Sequence, residues 1–420
     1  MIRFLSRLFG VRFAVVVMVS LVVAVALACG GSDDDGDVAS VVAEPTVTAV
    51  DSALEATEVA EVAATEVPAT APVMVEATAT AVVVATAKPV ATVPASTAQP
   101  VATAVAALED EAFDKSRFTD VAGIVDPTNF DWPRSIETSE GVITLDAPPE
   151  RIHSLSLGHS EILAALVDFG RLTAVYSFFV DEEQSNIAGL SADAVMIGFD
   201  PEEVVALEPE VIVASRFTNA DTVALMSGAG IPVARTNLEN SALGNVPNIL
   251  LLGYMVGAEA EAIALADEIE GRMQFISDIL ASDEKPRVLS VSKWTSAFAA
   301  GSGTTEGGII EQVGGINAAA DSGIEGHQQV SIESIAAINP DVIIVPQPLD
   351  GANAFIEELV SSPALAEVPA VKNGEIHYVV PRYHTTLSHW NVRGVERLAR
   401  LLFPSAFSGV TFEDFANWGG

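Results

Sequence analysis

Residues 202–213 read Glu-Glu-Val-Val-Ala-Leu-Glu-Pro-Glu-Val-Ile-Val, and residues 333–344 read Glu-Ser-Ile-Ala-Ala-Ile-Asn-Pro-Asp-Val-Ile-Ile. Each copy sets a glutamate seven residues before a proline, an acidic residue directly after the proline, and then an apolar β-branched run. Helix cannot continue through the proline, and an unbroken apolar run is the mark of a strand covered on both faces. A second pair lies upstream of the first: Pro149-Glu-Arg-Ile-His-Ser-Leu-Ser156 is echoed by Pro286-Arg-Val-Leu-Ser-Val-Ser292. The pairs recur in the same order, at offsets of 131 residues (Pro209 to Pro340) and 136 residues (Arg151 to Arg287). Two matches in register identify an internal duplication, and so two similar lobes.

Outward from the repeat, the same alternation continues. Strands are expected at Arg151–Ser156, Leu172–Tyr176, Val211–Ser215, Ile231–Thr236, Arg287–Ser292, Val342–Pro346 and Ile376–Val380. Helical segments such as Ser160–Phe169, Glu202–Leu207 and Gly307–Val313 lie between them. Strand and helix in alternation give an α/β class: two Rossmann-like αβα lobes with parallel sheets. Between the repeats, Val246–Val256 reads as one helix ended by Gly257 and Glu259–Ala281 as a longer one. In the longer helix Ile263, Ala266, Ile269, Met273, Ile276 and Leu280 form a stripe able to rest on both lobes, and Gly271 permits a bend.

The N-terminal part is of another kind. Arg3, Arg7 and Arg12 precede an apolar run ending Ala26-Leu27-Ala28-Cys29, and Cys29 is the sole cysteine of the chain. The run is too short to span a bilayer and has the flanks of a signal peptide. It resembles a bacterial lipoprotein signal in which Cys29 receives the lipid, with Ala26 where that motif more often carries Leu; an uncleaved anchor is the alternative. From Gly30 to about Leu108 the chain is Asp-rich and then a monotony of Ala, Val, Thr, Pro and Glu without Phe, Trp or Tyr, the composition of a tether. The expected organisation is a signal peptide at 1–28, a tether at 29–112, a lead-in at 113–140, an N-terminal lobe at 141–244, a helical connection at 245–285, a C-terminal lobe at 286–404 and a tail at 405–420. With 57 acidic against 20 basic residues the formal net charge is −37, which excludes a general nucleic-acid-binding role.

The stretch 149–403 resembles the substrate-binding proteins of iron-complex and vitamin B12 ABC importers. The residues that carry the likeness include Pro149-Glu-Arg-Ile, Glu161-Ile-Leu, Gly198-Phe199, Leu207-Glu-Pro209-Glu-Val-Ile-Val, Leu252-Gly-Tyr-Met-Val-Gly257, Asn339-Pro-Asp-Val-Ile-Ile and Leu398-Ala-Arg-Leu-Leu. The resemblance implies two lobes joined by a long helix, a ligand held between them, and delivery to a membrane permease dimer. It also implies that acidic residues matching Glu202 and Glu333 meet arginines of that permease, one per lobe. The protein is then expected as a monomer, lipid-anchored on the extracytoplasmic face of a membrane, with no cofactor beyond its transported ligand.

In open parallel sheets ligands sit beyond the carboxyl ends of the strands. The residues that follow the expected strands are His159; Phe178 and Phe179; Arg216 and Phe217; and, from the other lobe, Trp294, Thr304, His327, Arg382, Tyr383 and His384. Aromatic walls, two arginines and imidazoles suit a bulky conjugated anion that contains a metal. A ferric siderophore or haem is ranked ahead of cobalamin. His159 facing Tyr383 or His384 would ligate haem iron, whereas His153 and His377 lie within strands and are expected to be structural. A bare metal ion, or a ligand-sensing surface module, are the alternatives. Enzyme motifs are incomplete: Gly158-His-Ser160-Glu-Ile162 lacks the second glycine of a nucleophile elbow, and Glu306 stands where a dinucleotide loop needs its last glycine.

Overall fold

A computed structural model describes residues 113–280 and 285–415. The signal segment, Cys29 and the tether therefore lie outside the described residues.

The described chain opens with an antiparallel hairpin, β1 (Arg134–Thr138) and β2 (Gly141–Leu145). The first lobe follows: β3 (Ile152–Ser154), α1 (Leu157–Leu166), β4 (Val175–Tyr176), β5 (Met196–Ile197), α2 (Pro201–Ala206), β6 (Val211–Ser215), α3 (Ala220–Gly228) and β7 (Val233–Thr236). Its strands pair in parallel in the order β3-β6-β7. A second parallel pair, β4 with β5, joins the other edge of β3 through the bridge from Ile152 to Leu172. Along β6, Val211 and Val213 enter the large core shared with the interlobe helices, whereas Ile212 and Ala214 face Val204, Val223 and Met226 on the other side. That two-sided burial is why the run is apolar at every residue.

Next come α4 (Ala242–Val256) and α5 (Glu259–Ile279). Ser241 caps α4 through Gly244 N, so the helix starts a turn before the expected Val246 and holds Pro247 inside it. Gly257 closes it at φ 74°, the left-handed conformation that glycine adopts without penalty. The helix α5 passes unbroken through Gly271 and packs against α1, α4 and, in the second lobe, α10 (Asn391–Leu402). It buries Ala262, Leu265, Ala266, Ile269, Met273 and Ile276, nearly the expected stripe, with Ile263 only half-buried.

The second lobe contains β8 (Arg287–Lys293), β9 (Ala297–Ala300), α6 (Thr305–Gln312), β10 (Ile316–Asn317), β11 (His327–Gln329), α7 (Ile332–Ile338), β12 (Val342–Val345), α8 (Leu349–Ser361), β13 (Ile376–Tyr378), α9 (Pro381–His384) and α10. Its sheet runs β11-β9-β8-β12-β13, with β10 on the start of β8. The pairings of β8 with β10 and β12, and of β12 with β13, are parallel as expected, and β9 and β11 extend the sheet as antiparallel additions. All three residues of β11 are exposed, so no apolar pattern announced it. Gly301, just past β9, lies where a Cβ would stand 2.0 Å from the Ile324 carbonyl oxygen, so only glycine fits.

The duplication has a structural basis. The residue before each proline, Glu208 and Asn339, sits in left-handed backbone at φ 49° and 51°. The acidic residue after each proline staples the start of the lobe's first strand: Glu210 accepts from Glu150 N at 2.6 Å, and Asp341 accepts from Arg287 N at 2.9 Å. Arg151 and Arg287 in turn donate to the last carbonyls before the turn, on Glu208 and Ile338. The repeated residues are thus the corner that binds helix, turn and two strands.

Candidate functional site

Several hydrogen bonds that cross between the lobes involve residues that follow strand carboxyl ends. Asn240, past β7, donates to Gly303 O at 2.9 Å; Asn186, past β4, donates to Arg382 O at 2.8 Å; Leu349 N, past β12, donates to Glu183 at 2.8 Å. The carboxyl ends of the two sheets therefore face each other, the arrangement in which open α/β sheets bind ligands.

The wall from the first lobe is aromatic. Beyond β4, Tyr176 is buried and stacks on Phe199, with centroids 4.9 Å apart and planes 9° from parallel. Phe178, half-buried, lies nearly parallel to both rings, at 6.2 Å from Tyr176 and 6.1 Å from Phe199. Phe199 remains 67% exposed, so a flat apolar face at this end of the sheet is offered to a ligand. Beyond β6, Phe217 is 62% exposed and the Arg216 guanidinium lies 4.9 Å from its ring centre. Phe179, expected in this wall, is instead core: it is fully buried, edge-on to Phe178 and Tyr176. Phe199 was present in the family motif but was missed as a wall residue, since it precedes a helix rather than following an expected strand.

The wall from the second lobe is mixed. Trp294, past β8, is 59% exposed, and beside it Lys293 pairs with Glu358. Buried Gln347 accepts from Lys293 N at 2.6 Å, tying the ends of β8 and β12 together. His327 is exposed and its Nε2 is 3.2 Å from the buried Glu306 carboxylate, whose hydrogen bond raises the imidazole pKa. Thr304 is not a ligand contact: it is buried and caps α6, its Oγ1 accepting from Gly307 N and donating to Gly301 O. Arg382 donates to Glu182 O and to the Tyr383 hydroxyl, and Tyr383 is sandwiched between the guanidinium groups of Arg382 and Arg397. Both border a cavity of about 270 Å³ at the seam of the lobes, which also touches Asn186 and Trp390. Arg382 Nε and Asn186 Oδ1 are buried without a hydrogen-bond partner among the described residues.

The histidines are where the structure departs most from expectation. His159 has no exposed surface: Nδ1 is 2.8 Å from Ser156 Oγ and Nε2 is 2.8 Å from Thr236 Oγ1. Ser156 caps α1 by accepting from His159 N, and its hydroxyl also bonds the His159 ring, so cap and imidazole hold each other. Both nitrogens are engaged inside the first lobe, and burial lowers the pKa to about 3. His384 is also fully buried, its Nδ1 3.1 Å from Val380 O, with burial lowering its pKa to about 4. Neither presents a nitrogen to the space between the lobes, so the expected pair of axial ligands is not assembled. His153 is structural, as expected, bonded to Thr173 and Tyr176. His377 pairs with Glu375, and His389 is buried against Trp390 and Phe415. Among the described residues no group of three or more His, Cys, Asp or Glu side chains is placed to hold a metal ion.

Glu202 and Glu333 are both exposed and stand in the first turns of α2 and α7. Each helix runs back antiparallel to the strand that follows it, so its start lies at the carboxyl-end rim of its sheet.

Comparison with known proteins agrees with this geometry. A family model described as periplasmic binding protein matches residues 152–383. A cobalamin-binding protein of Halobacterium salinarum is 28% identical over 261 residues, 59% of this chain and 69% of its own length. An uncharacterized ABC transporter substrate-binding lipoprotein of Bacillus subtilis, YvrC, is 26% identical over 278 residues, 64% of this chain and 85% of its own. Among solved structures, the periplasmic heme-binding protein RhuT from Roseiflexus superposes with a TM-score of 0.52 at 24% identity, covering 61% of this chain and 99% of that one. The molybdate-binding protein MolA of Haemophilus influenzae gives 0.57 at 20% identity, with 66% and 93% covered. These structural likenesses establish the two-lobed α/β fold.

Proposed function

We propose that this chain, which belongs to the periplasmic binding protein family, captures a bulky, flat metal chelate between its lobes and hands it to an ABC-importer permease. Family membership makes it a solute-binding protein rather than an enzyme, acting outside the cytoplasm. The observation that carries the finer reading is the aromatic wall: the near-parallel Tyr176, Phe178 and Phe199 rings, with exposed Phe217 past β6 and exposed Trp294 past β8 of the other lobe. Flat apolar faces with a few guanidinium donors (Arg216, Arg382) suit a conjugated or macrocyclic ligand better than a sugar or a free amino acid.

The buried imidazoles change the order of candidates. Haem iron needs an axial ligand from the protein; His159 and His384 do not offer one, and Tyr383, the other expected ligand, is 6% exposed with its hydroxyl accepting from Arg382 at 3.2 Å. A corrinoid or a hexadentate ferric siderophore brings its metal already saturated and asks only for shape, stacking and hydrogen bonds. A chelate of this kind, cobalamin included, therefore ranks above haem, and the cobalamin-binding name of the relative from Halobacterium salinarum supports the same order. Glu202 and Glu333 are the docking pair in this reading, facing a two-fold permease. Cys29 is the lipid anchor, and the segment up to 112 is the tether that lets a monomeric lobe pair reach its permease.

Isothermal titration with cyanocobalamin, a ferric hydroxamate siderophore and haem tests the proposal. Binding of one of the saturated chelates is expected, weakened roughly 3- to 10-fold by Phe199→Ala and again by Trp294→Ala, the loss of one stacking contact each. Binding of none of the three at about 100 μM, or binding indifferent to both substitutions, would overturn it.

A further inference from the structure

Glu161 lies on the first helix of the first lobe, with 1% of its surface exposed. No cation touches its carboxylate among the described residues. Instead four neutral donors converge on it. Oε1 accepts from Asn186 N and from Asn186 Nδ2, both at 2.9 Å. Oε2 accepts from Thr386 Oγ1 at 2.6 Å and from Ser388 Oγ. Asn186 belongs to the loop after β4 in the first lobe; Thr386 and Ser388 belong to the loop after α9 in the second. Asn186 Nδ2 also donates to Arg382 O at 2.8 Å, so the same knot holds the backbone of a residue that borders the seam cavity. Leu387, between the two hydroxyls, gives its carbonyl to Asn245 Nδ2 at 3.0 Å, anchoring the loop to the start of α4 as well.

A buried charge without a counter-ion is retained only where enough dipoles surround it, and removal of any of them leaves the charge under-satisfied. Burial raises the Glu161 pKa, and the bonds from Ser388, Thr386 and Asn186 each oppose that rise. Ordinary core packing does not need such an arrangement, because an apolar residue at 161 would fill the space without the desolvation cost. What the carboxylate adds is directional attachment of one lobe to the other.

We propose that Glu161 is the interlobe latch: a positioning residue that clamps the 382–388 loop of the second lobe to the first lobe and so fixes the separation of the two walls before any ligand arrives. The long helix α5 sets the hinge, and Glu161 sets the angle about it. Arg382 and Tyr383 are held in place by the same clamp. The inference extends the binding reading to the geometry of its site, and it does not depend on which chelate is carried.

The test is the interlobe distance in the ligand-free protein. Spin labels go on Ser227→Cys and Ala354→Cys, exposed positions on α3 and α8, in the full chain carrying Cys29→Ser. Double electron–electron resonance of this parent is expected to give one narrow distribution. Thr386→Val with Ser388→Ala, which removes only the second lobe's half of the knot, should broaden it and add a longer-distance population. Glu161→Ala should do the same. Glu161→Gln should restore the narrow distribution, since an amide accepts from Asn186 through its oxygen and donates to the two hydroxyls through its nitrogen. A loss of folding stability with an unchanged distribution in the Thr386→Val/Ser388→Ala protein would overturn the latch and leave Glu161 as a packing residue. Because no ligand is added, that result is independent of the chelate titrations, and a failure of those titrations leaves the latch standing.

Discussion

Acidification should unfold this protein through its buried imidazoles. His153, His159, His384 and His389 have at most 1% of their surface exposed, and burial lowers their pKa values to about 4, 3, 4 and 3. In the folded chain each stays neutral to well below pH 5, whereas in the unfolded chain each takes up a proton near pH 6.5. The stability each contributes is complete above pH 6.5 and is lost as pH falls toward the folded value. At pH 5.5 the unfolded state is favoured by about 1.4 kcal/mol per imidazole relative to pH 7.5, so the four together cost about 5 kcal/mol. That is comparable to the whole stability of many domains. Three buried carboxylates (Glu161, Glu259 and Glu396) have raised pKa values, and His327 is raised by Glu306; all four groups act in the opposite sense and reduce the net loss. Urea unfolding at pH 7.5, 6.5 and 5.5 measures the sum. The sharper comparison is His389→Leu, which removes one proton site whose pKa is lowered by burial and by the nearby Arg272 charge: the variant's loss between pH 7.5 and 5.5 should be smaller than the parent's by about 1.4 kcal/mol. Identical pH slopes in the two proteins would refute the linkage, as would imidazole resonances of the folded protein titrating near pH 6.5.

Backbone and rim positions give further expectations. Glu208 sits at φ 49° with an exposed side chain, so Glu208→Asn, matching its counterpart Asn339, should raise stability by roughly 0.5–1 kcal/mol in urea titrations. A Cβ on Gly271 meets nothing within 4 Å, so Gly271→Ala in the middle of α5 should add roughly 0.5–1 kcal/mol, read as a higher urea midpoint at constant slope. Glu202→Lys together with Glu333→Lys should leave chelate affinity unchanged while abolishing uptake in cells that express the cognate permease; persistent uptake would remove both from the docking surface.

The duplicated corner was readable in the sequence because it recurs and its frame is local. A helix must stop before Pro209 and Pro340 and a strand buried on both faces must follow, although the amides that the acidic residues accept from lie 60 and 54 residues upstream. The long helices were readable locally too, through the three-four spacing from Ala266 to Ile276. What escaped depended on distant partners. The strand β11 is His-Gln-Gln with every side chain exposed, and only its pairing with Phe298, Ala299 and Ala300 makes it a strand. The imidazole of His159 follows a strand, as a binding residue would. Thr236, seventy-seven residues away, and the cap at Ser156 turn it inward. Glu161 was visible only as part of a motif, since its four donors come from positions 186, 386 and 388. Phe178, Arg216, Phe217 and Trp294 were placed at the strand ends by order along the chain alone, whereas the stacking that gives Phe199 its role needed the turn between β5 and α2.

The two lobes share their scaffold but not their walls, and that contrast bears on what is bound. Arg151 matches Arg287, Glu208 matches Asn339 and Glu210 matches Asp341, all at the corners away from the opening. At the carboxyl ends the likeness stops: one lobe presents Phe178, Phe199 and Phe217, the other Lys293, Trp294, His327 and Arg382. A ligand with equivalent faces would be served by equivalent walls, which a duplicated fold supplies without further change. Unlike walls on a repeated scaffold instead match a ligand whose two sides differ, one broad and apolar, the other carrying acceptors for guanidinium and imidazole donors. A corrinoid or an asymmetric siderophore complex has that character and a bare oxyanion does not. By contrast, the duplicated glutamates keep their equivalence, which is what the proposed docking onto a partner built of two like halves would require.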